Sequence, residues 1–142
     1  MKNVLFINGK DAYLTWHAYF DSSSMSALMT PAPMKQFVSN SSRLIDGEES
    51  LPINPRLDSR EITLVIQFSA NSESDFFSRY SSFCEELSKG RIEIKTIYQN
   101  DVVYRFDYIQ CSQFSEFLRG IGKFTLKLKE PDPTDRGITS KY

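Results

Sequence analysis

The sequence predicts a mainly β, α+β domain: an antiparallel β-barrel or sandwich with one packed α-helix. Three observations carry that prediction. Apolar and polar residues alternate over Ile62 to Phe68 and over Phe124 to Leu128, the period of a strand with one buried face. Hairpin turn signals recur, Asn8-Gly9 being the strongest. One segment, Ser72 to Lys89, places its apolar residues at clear helical spacing.

The first element is a hairpin. Val4 to Ile7 is apolar, Asn8-Gly9 turns the chain, and Tyr13 to Phe20 returns with aromatic and β-branched residues. Residues 21 to 59 then form a long irregular loop punctuated by Ser, Pro, Asn and Gly. Within it Ser24 to Met29 predicts one or two helical turns, stopped by Pro31 and Pro33, and Lys35 to Val38 a short edge strand. Loops of this length inside a domain are commonly functional or ordered against a partner.

From Arg60 the pattern sharpens. Ile62, Leu64, Ile66 and Phe68 line one face of a strand. Ser72 and Asp75 make an S-x-x-D capping pattern, and Phe76, Phe77, Tyr80, Phe83, Cys84 and Leu87 follow on one helical stripe that Lys89 and Gly90 close. Ile92, Ile94, Thr96 and Tyr98 predict a strand, Asn100-Asp101 a turn, and Val102, Tyr104, Phe106 and Tyr108 the returning arm. Phe124, Leu126 and Leu128 mark the last strand, which Pro131 and Pro133 terminate. The domain therefore spans residues 1–133, and residues 134–142 are expected to be a flexible tail.

Composition narrows the function. The 142 residues carry 17 basic and 18 acidic side chains, a net charge of −1. Near-neutrality argues against wholesale phosphate neutralisation and favours association with protein. No apolar run reaches the roughly 18–20 residues needed to span a bilayer, and the apolar start is too short for a signal peptide, so a cytoplasmic chain with no membrane insertion is expected. Cys84 and Cys111 lie far apart without metal-ligand spacing, and read as small buried residues.

Catalytic constellations are not evident, and neither an enzyme nor a cofactor is expected. His17, the single histidine, reads as a half-buried neighbour of Trp16 on a strand. Paired carboxylates occur at Glu48-Glu49, Glu85-Glu86 and around Asp132, of which Glu85-Glu86 reads as a solvated helix face, and Gly120-Ile121-Gly122 lacks the third glycine, preceding parallel strand and following helix of a phosphate loop. Lys123, Lys127 and Lys129 form a basic face on the last strand, whose ordinary role is to discourage unwanted pairing. Met25, Leu28, Met29, Met34 and Phe37 concentrate adaptable apolar side chains in the long loop, a composition suited to a forgiving protein interface.

From about Arg60 to Pro133 the sequence resembles the N-terminal domain of tailed-phage distal tail proteins and the related tail-tube proteins. The resemblance is carried by Ser59-Arg60-Glu61-Ile62-Thr63-Leu64-Val65-Ile66-Gln67-Phe68, the helix ending Phe83-Cys84-Glu85-Glu86-Leu87-Ser88-Lys89-Gly90, the strand Arg91-Ile92-Glu93-Ile94 and the arm Val103-Tyr104-Arg105-Phe106. Gly122-Lys123-Phe124-Thr125-Leu126-Lys127-Leu128 running into Glu130-Pro131-Asp132-Pro133 completes it, with Arg43-Leu44-Ile45-Asp46-Gly47 as a looser match upstream.

What the resemblance implies is a structural virion component. Its subunits would form a ring, usually a hexamer, with sheets lining a channel through which DNA passes unbound, and with loops docking neighbouring tail or baseplate proteins. The protein would be made in the cytoplasm of the bacterial host and end in the virion tail. Inter-subunit contacts are expected from residues 22–54, with Met25, Leu28, Met29, Met34 and Phe37, and from the turn at Asn100 and Asp101, while the tail orders in the assembly. The alternative is a small β-barrel adaptor that binds a peptide or single-stranded nucleic acid on the face of Lys123, Lys127 and Lys129.

Overall fold

The computed structural model describes residues 3–20, 22–35, 56–115 and 120–141. The N-terminal hairpin forms as expected, β1 (Leu5–Ile7) pairing β2 (Lys10–Asp11) with Ile7 opposite Lys10. Asn8 and Gly9 take φ of 52° and 79°, the two left-handed positions that a two-residue type I′ turn requires.

The second long arm predicted from Tyr13 to Phe20 does not form. Instead Ala12–Trp16 makes a short helix, α1, and only Ala18–Phe20 is a strand, β3. One oxygen of the Asp11 carboxylate accepts from the N–H groups of Tyr13 and Leu14, and His17 ends the helix in the left-handed conformation, φ 51°. Tyr13, Thr15 and Trp16 prefer strands locally, but the cap and the burial of Ala12 and Trp16 in the core outweigh that preference.

The remaining elements are α2 (Ser22–Met29), β4 (Arg60–Ser69), α3 (Glu73–Ser88), β5 (Arg91–Thr96), β6 (Tyr104–Ser115) and β7 (Ile121–Glu130). Among the described residues there are three helices: α3 is the packed helix predicted, α2 falls where Ser24 to Met29 indicated one or two turns, and α1 is the one not predicted. None of them is long and apolar enough to cross a membrane.

All seven strands belong to one antiparallel sheet in the order β2-β1-β5-β6-β7-β4-β3. The fold class is mainly antiparallel β with helices, as the alternation indicated. Among the described residues the expected barrel or sandwich is, however, a single sheet that does not close, with β2 and β3 as its terminal strands. Those two strands are joined by α1 and His17 alone, and a five-residue helix is only about 7–8 Å long. The sheet must therefore curl until its ends come close, and α1, touching β1, β2, β3 and α3, occupies the gap.

The concave face holds the core. Ile62 faces Leu128, Leu64 faces Leu126 and Ile66 faces Phe124 across β4 and β7, and all six are buried. Leu5, Ile7, Ile92, Ile94, Tyr104 and Phe106 continue the same surface on β1, β5 and β6.

α3 covers one end of this surface. The Asp75 N–H donates to Ser72 Oγ at 3.1 Å, while the Asp75 carboxylate reaches back to the Asn71 N–H. Phe76, Phe83 and Leu87 are buried as predicted and Tyr80 and Cys84 partly so, but Phe77, assigned to the same stripe, is exposed. Gly90 follows with φ 84°, the left-handed C-terminal position the sequence indicated.

The strand β6 has two unlike parts. Tyr104 to Asp107 pairs with β5, and Asp107 to Ser115 pairs with β7 through two irregularities, between Tyr108 and Gln110 and between Cys111 and Gln113. Residues 131–141 pack where β7 has ended. Arg105 donates to the Asp135 carbonyl and carboxylate at 3.2 and 3.3 Å, and the Val103 N–H donates to the Arg136 carbonyl. In place of the free tail expected from residue 134, this segment is bound to the domain by buried charge.

Candidate assembly surfaces

The loop expected to meet partners begins with α2, whose position follows from one ionic cluster. Arg60 lies at the start of β4 and Glu130 directly opposite it at the end of β7, both on the buried face. Arg60 Nε donates to Glu130 at 2.7 Å, and its terminal nitrogens donate to the carbonyls of Ala27, Leu28 and Thr30. The guanidinium thus satisfies carbonyls at the C-terminal end of α2, which no residue within the helix can do, and adds a cation there. Arg136 donates twice to Glu130, at 2.9 and 2.7 Å, and stacks over the Tyr104 ring.

At its other end α2 guards the sheet edge. β3 stops pairing at Phe20 opposite Ile66, and Ser24 Oγ takes over by accepting from the Val65 N–H and donating to the Val65 carbonyl. With both ends fixed, Leu28 is 0% exposed and belongs to the chain's own core, so it is unavailable to a partner, contrary to its sequence assignment. Met25 packs partly against the core, whereas Met29 (57% exposed) and Met34 are open to solvent. Phe37 and Glu48-Glu49 lie outside the described residues. So do Gln36 and Val38, and of the predicted edge strand only Lys35 is described, its N–H donating to the Arg56 carbonyl beside the bridge of Met34 with Leu57.

The second expected surface, the turn between β5 and β6, is held by bonds within the turn and one to the N-terminal segment. The Ile97 N–H donates to the Val4 carbonyl, and Tyr104 Oη donates to Gln99 at 2.6 Å. Asn100 and Asp101 are exposed at its tip. The apolar surface there comes from Ile97 and Tyr98, the latter 70% exposed. The sequence alternation sets Tyr98 in line with Ile92, Ile94 and Thr96. Because β5 ends at Thr96, the alternation does not reach it.

The basic face lies on the convex side of the sheet. Lys123 pairs across β4 and β6 with Gln67 and Ser115, and Lys127 with Thr63 and Gln110. Lys129 stands between Glu61 and Asp107, its directly opposed cross-strand neighbours. Alternating charge of this kind solvates a sheet face and offers no uniform track for a phosphate backbone. Nearby, Phe6, Gly9, Glu93, Lys95 and Val103 line a recess of about 220 Å³.

The residues weighed as catalytic have structural roles. His17 stacks on Tyr13 with ring centroids 5.1 Å apart, and caps α1 where a strand was expected. Glu86 is not the solvated carboxylate predicted: it is buried and accepts from Asn8 Nδ2 at 2.7 Å, Lys89 Nζ at 3.0 Å and Lys10 Nζ at 3.1 Å, tying α3 to the first hairpin. Burial opposes its ionisation, but those three donors outweigh burial and hold its carboxyl below the usual range. Burial pushes the Cys84 thiol up, consistent with a half-buried packing residue. Gly122 is glycine because a Cβ there would lie 2.3 Å from the Phe68 ring.

No protein-family model matches the sequence, and no match is found among curated proteins. Among solved structures, the chain is similar to the Dit protein of phage SPP1, described as a paradigm of the hub adsorption apparatus in phages that infect Gram-positive bacteria. The TM-score is 0.58 at 16% sequence identity, over 92% of this chain and 50% of that one. The chain therefore spans about half the length of that protein and shares its fold across nearly all of its own.

Proposed function

We propose that this protein is a structural component of a phage tail, of the distal tail or tail-tube type, which assembles into a ring and docks neighbouring tail or baseplate proteins. The observation that carries the reading is the fold shared with a phage hub protein over 92% of the chain. Nothing finer is carried by identity of residues, so the ring and its size rest on the surfaces themselves.

Those surfaces suit a scaffold. An open sheet offers free edges, and heterologous contacts between unlike edges close into rings. Met29 and Met34 at the start of the long loop, and Ile97 and Tyr98 beside Asn100 and Asp101, supply exposed apolar side chains at separated points. In this reading six copies enclose a channel lined by sheet, DNA passes without specific binding, and the protein resides in the host cytoplasm until it joins the virion tail. The mixed charge around Lys129 fits a passive wall better than the alternative adaptor, which needs a continuous basic face.

Mass photometry and negative-stain electron microscopy of the full chain test this. Closed rings of about six copies are expected. A chain that shows no ring at any concentration, and gives a salt-dependent shift with single-stranded DNA, overturns the proposal in favour of the adaptor.

A further inference from the structure

We propose that the free edge of β6, residues 109–115, pairs antiparallel with the same edge of a second copy about a two-fold axis. Among the described residues this stretch pairs with β7 alone. On its other side β5 has already ended, and the Tyr108 N–H donates to the carbonyl of Gly90, the residue before β5. From Ile109 onward one row of backbone donors and acceptors faces no other strand among the described residues, and an extended chain is the group that satisfies such a row.

Two features identify the occupant as a second copy. The first is charge: Ile109-Gln110-Cys111-Ser112-Gln113-Phe114-Ser115 contains no ionisable acid or base beyond a thiol. Natural edges are usually blunted by lysine or proline, and two-fold pairing sets each residue against its counterpart, so any charge near the axis would oppose itself. The second is length. The terminal strands β2 and β3 offer two and three residues, and β4 beyond β3 is already engaged by Ser24, so neither matches a seven-residue edge.

Full overlap of the two runs puts Ser112 on the axis and brings Ile109 and Phe114, 44% and 38% exposed, into the contact. The contact is independent of ring formation: it joins two free subunits or two rings back to back.

The test uses the full chain. In Ser112→Cys, oxidised glutathione is expected to link two chains through position 112, the two thiols forming one disulfide and releasing two glutathione thiols. Peptide mapping reads the link. In Ser112→Lys, sedimentation is expected to show the dimer weakened at least about tenfold, since two ammonium groups meet at the axis. An unchanged thermal midpoint shows that this variant folds. Links from 112 to other positions, a wild-type monomer at concentrations on the order of 100 µM, or a dimer indifferent to Ser112→Lys overturns the inference. Rings without 112–112 links overturn it and leave the ring reading intact; linked dimers without rings do the reverse.

Discussion

The β4–β7 ladder is closed differently at its two ends. At one end Phe68, Phe76, Tyr80, Phe83, Phe114 and Phe124 pack with neighbouring ring centroids 4.9 to 6.4 Å apart. At the other, eight residues before Phe68 on β4, Arg60 and Glu130 occupy equally buried positions and hold α2 and the C-terminal segment. The aromatic end gains from removing apolar surface from water, and it tolerates small shifts. The ionic end has to recover the desolvation of its charges through good geometry, so it fixes where its neighbours sit. That contrast places precision at the end where residues 22–35 and 131–141 leave the sheet.

The largest effects should come from breaking either end. Phe124→Ala removes a ring that touches Tyr80, Phe83 and Phe114, and about 3–5 kcal/mol of stability should be lost in denaturant unfolding. Glu130→Ala leaves Arg60 buried without its carboxylate and should cost a similar amount, about 3–5 kcal/mol. The two are separated by a second substitution. Adding Arg60→Met to Glu130→Met should restore part of the loss, because no unpaired charge then stays buried and Arg136 can turn to water while the carbonyls of Ala27, Leu28 and Thr30 lose their donor, whereas no single partner change refills the Phe124 cavity. If the double variant is as unstable as Glu130→Ala, the ionic end is not distinct in kind.

A smaller effect sharpens the aromatic end. Gly122→Ala drives a methyl into the Phe68 ring, which is already hemmed in by Phe76 and Phe124. Overpacking should cost about 1–3 kcal/mol, read as a lowered thermal midpoint. Substitution of both Gly122→Ala and Phe68→Leu should recover part of it.

The same two ends differ in how far the sequence revealed them. The aromatic end was legible because Phe68 and Phe124 continue an apolar alternation and Phe76, Tyr80 and Phe83 a helical stripe. Arg60 and Glu130 stand in phase with those alternations, two residues before Ile62 and two after Leu128, and phase was the available signal for their burial. It was overlooked because a charged residue at a strand end ordinarily faces water. Leu28 was misplaced for the same reason, since the group that draws α2 onto the sheet is Arg60. α1 escaped because five residues carry too little periodicity to compete with aromatic strand preference. Of the candidate assembly residues, Met29, Met34, Asn100 and Asp101 are exposed as the sequence suggested, but Ile97 and Tyr98 were found only once the end of β5 was fixed.

The smallest expected effect concerns Glu86, an ionic contact at the opposite margin of α3 that is intermediate between the two ends. Its carboxyl is buried, yet two of its donors, Lys10 and Lys89, are about half exposed, so solvent screens part of their contribution. Against the opposing effect of burial, those donors hold its folded-state carboxyl below the ordinary glutamate range. A depressed carboxyl contributes stability that is fully present above the unfolded pKa and is lost as pH falls through the folded one. Thermal midpoints should therefore hold from pH 7 to about 5 and then decline as acid protonates Glu86, loosening α3 from the first hairpin. Glu86→Gln should cost about 0.5–1.5 kcal/mol at pH 7 and show a shallower decline below pH 4.5 than the wild type. A variant whose acid decline parallels the wild type would mean that other carboxylates govern the acid limb and that Glu86 behaves as a surface group.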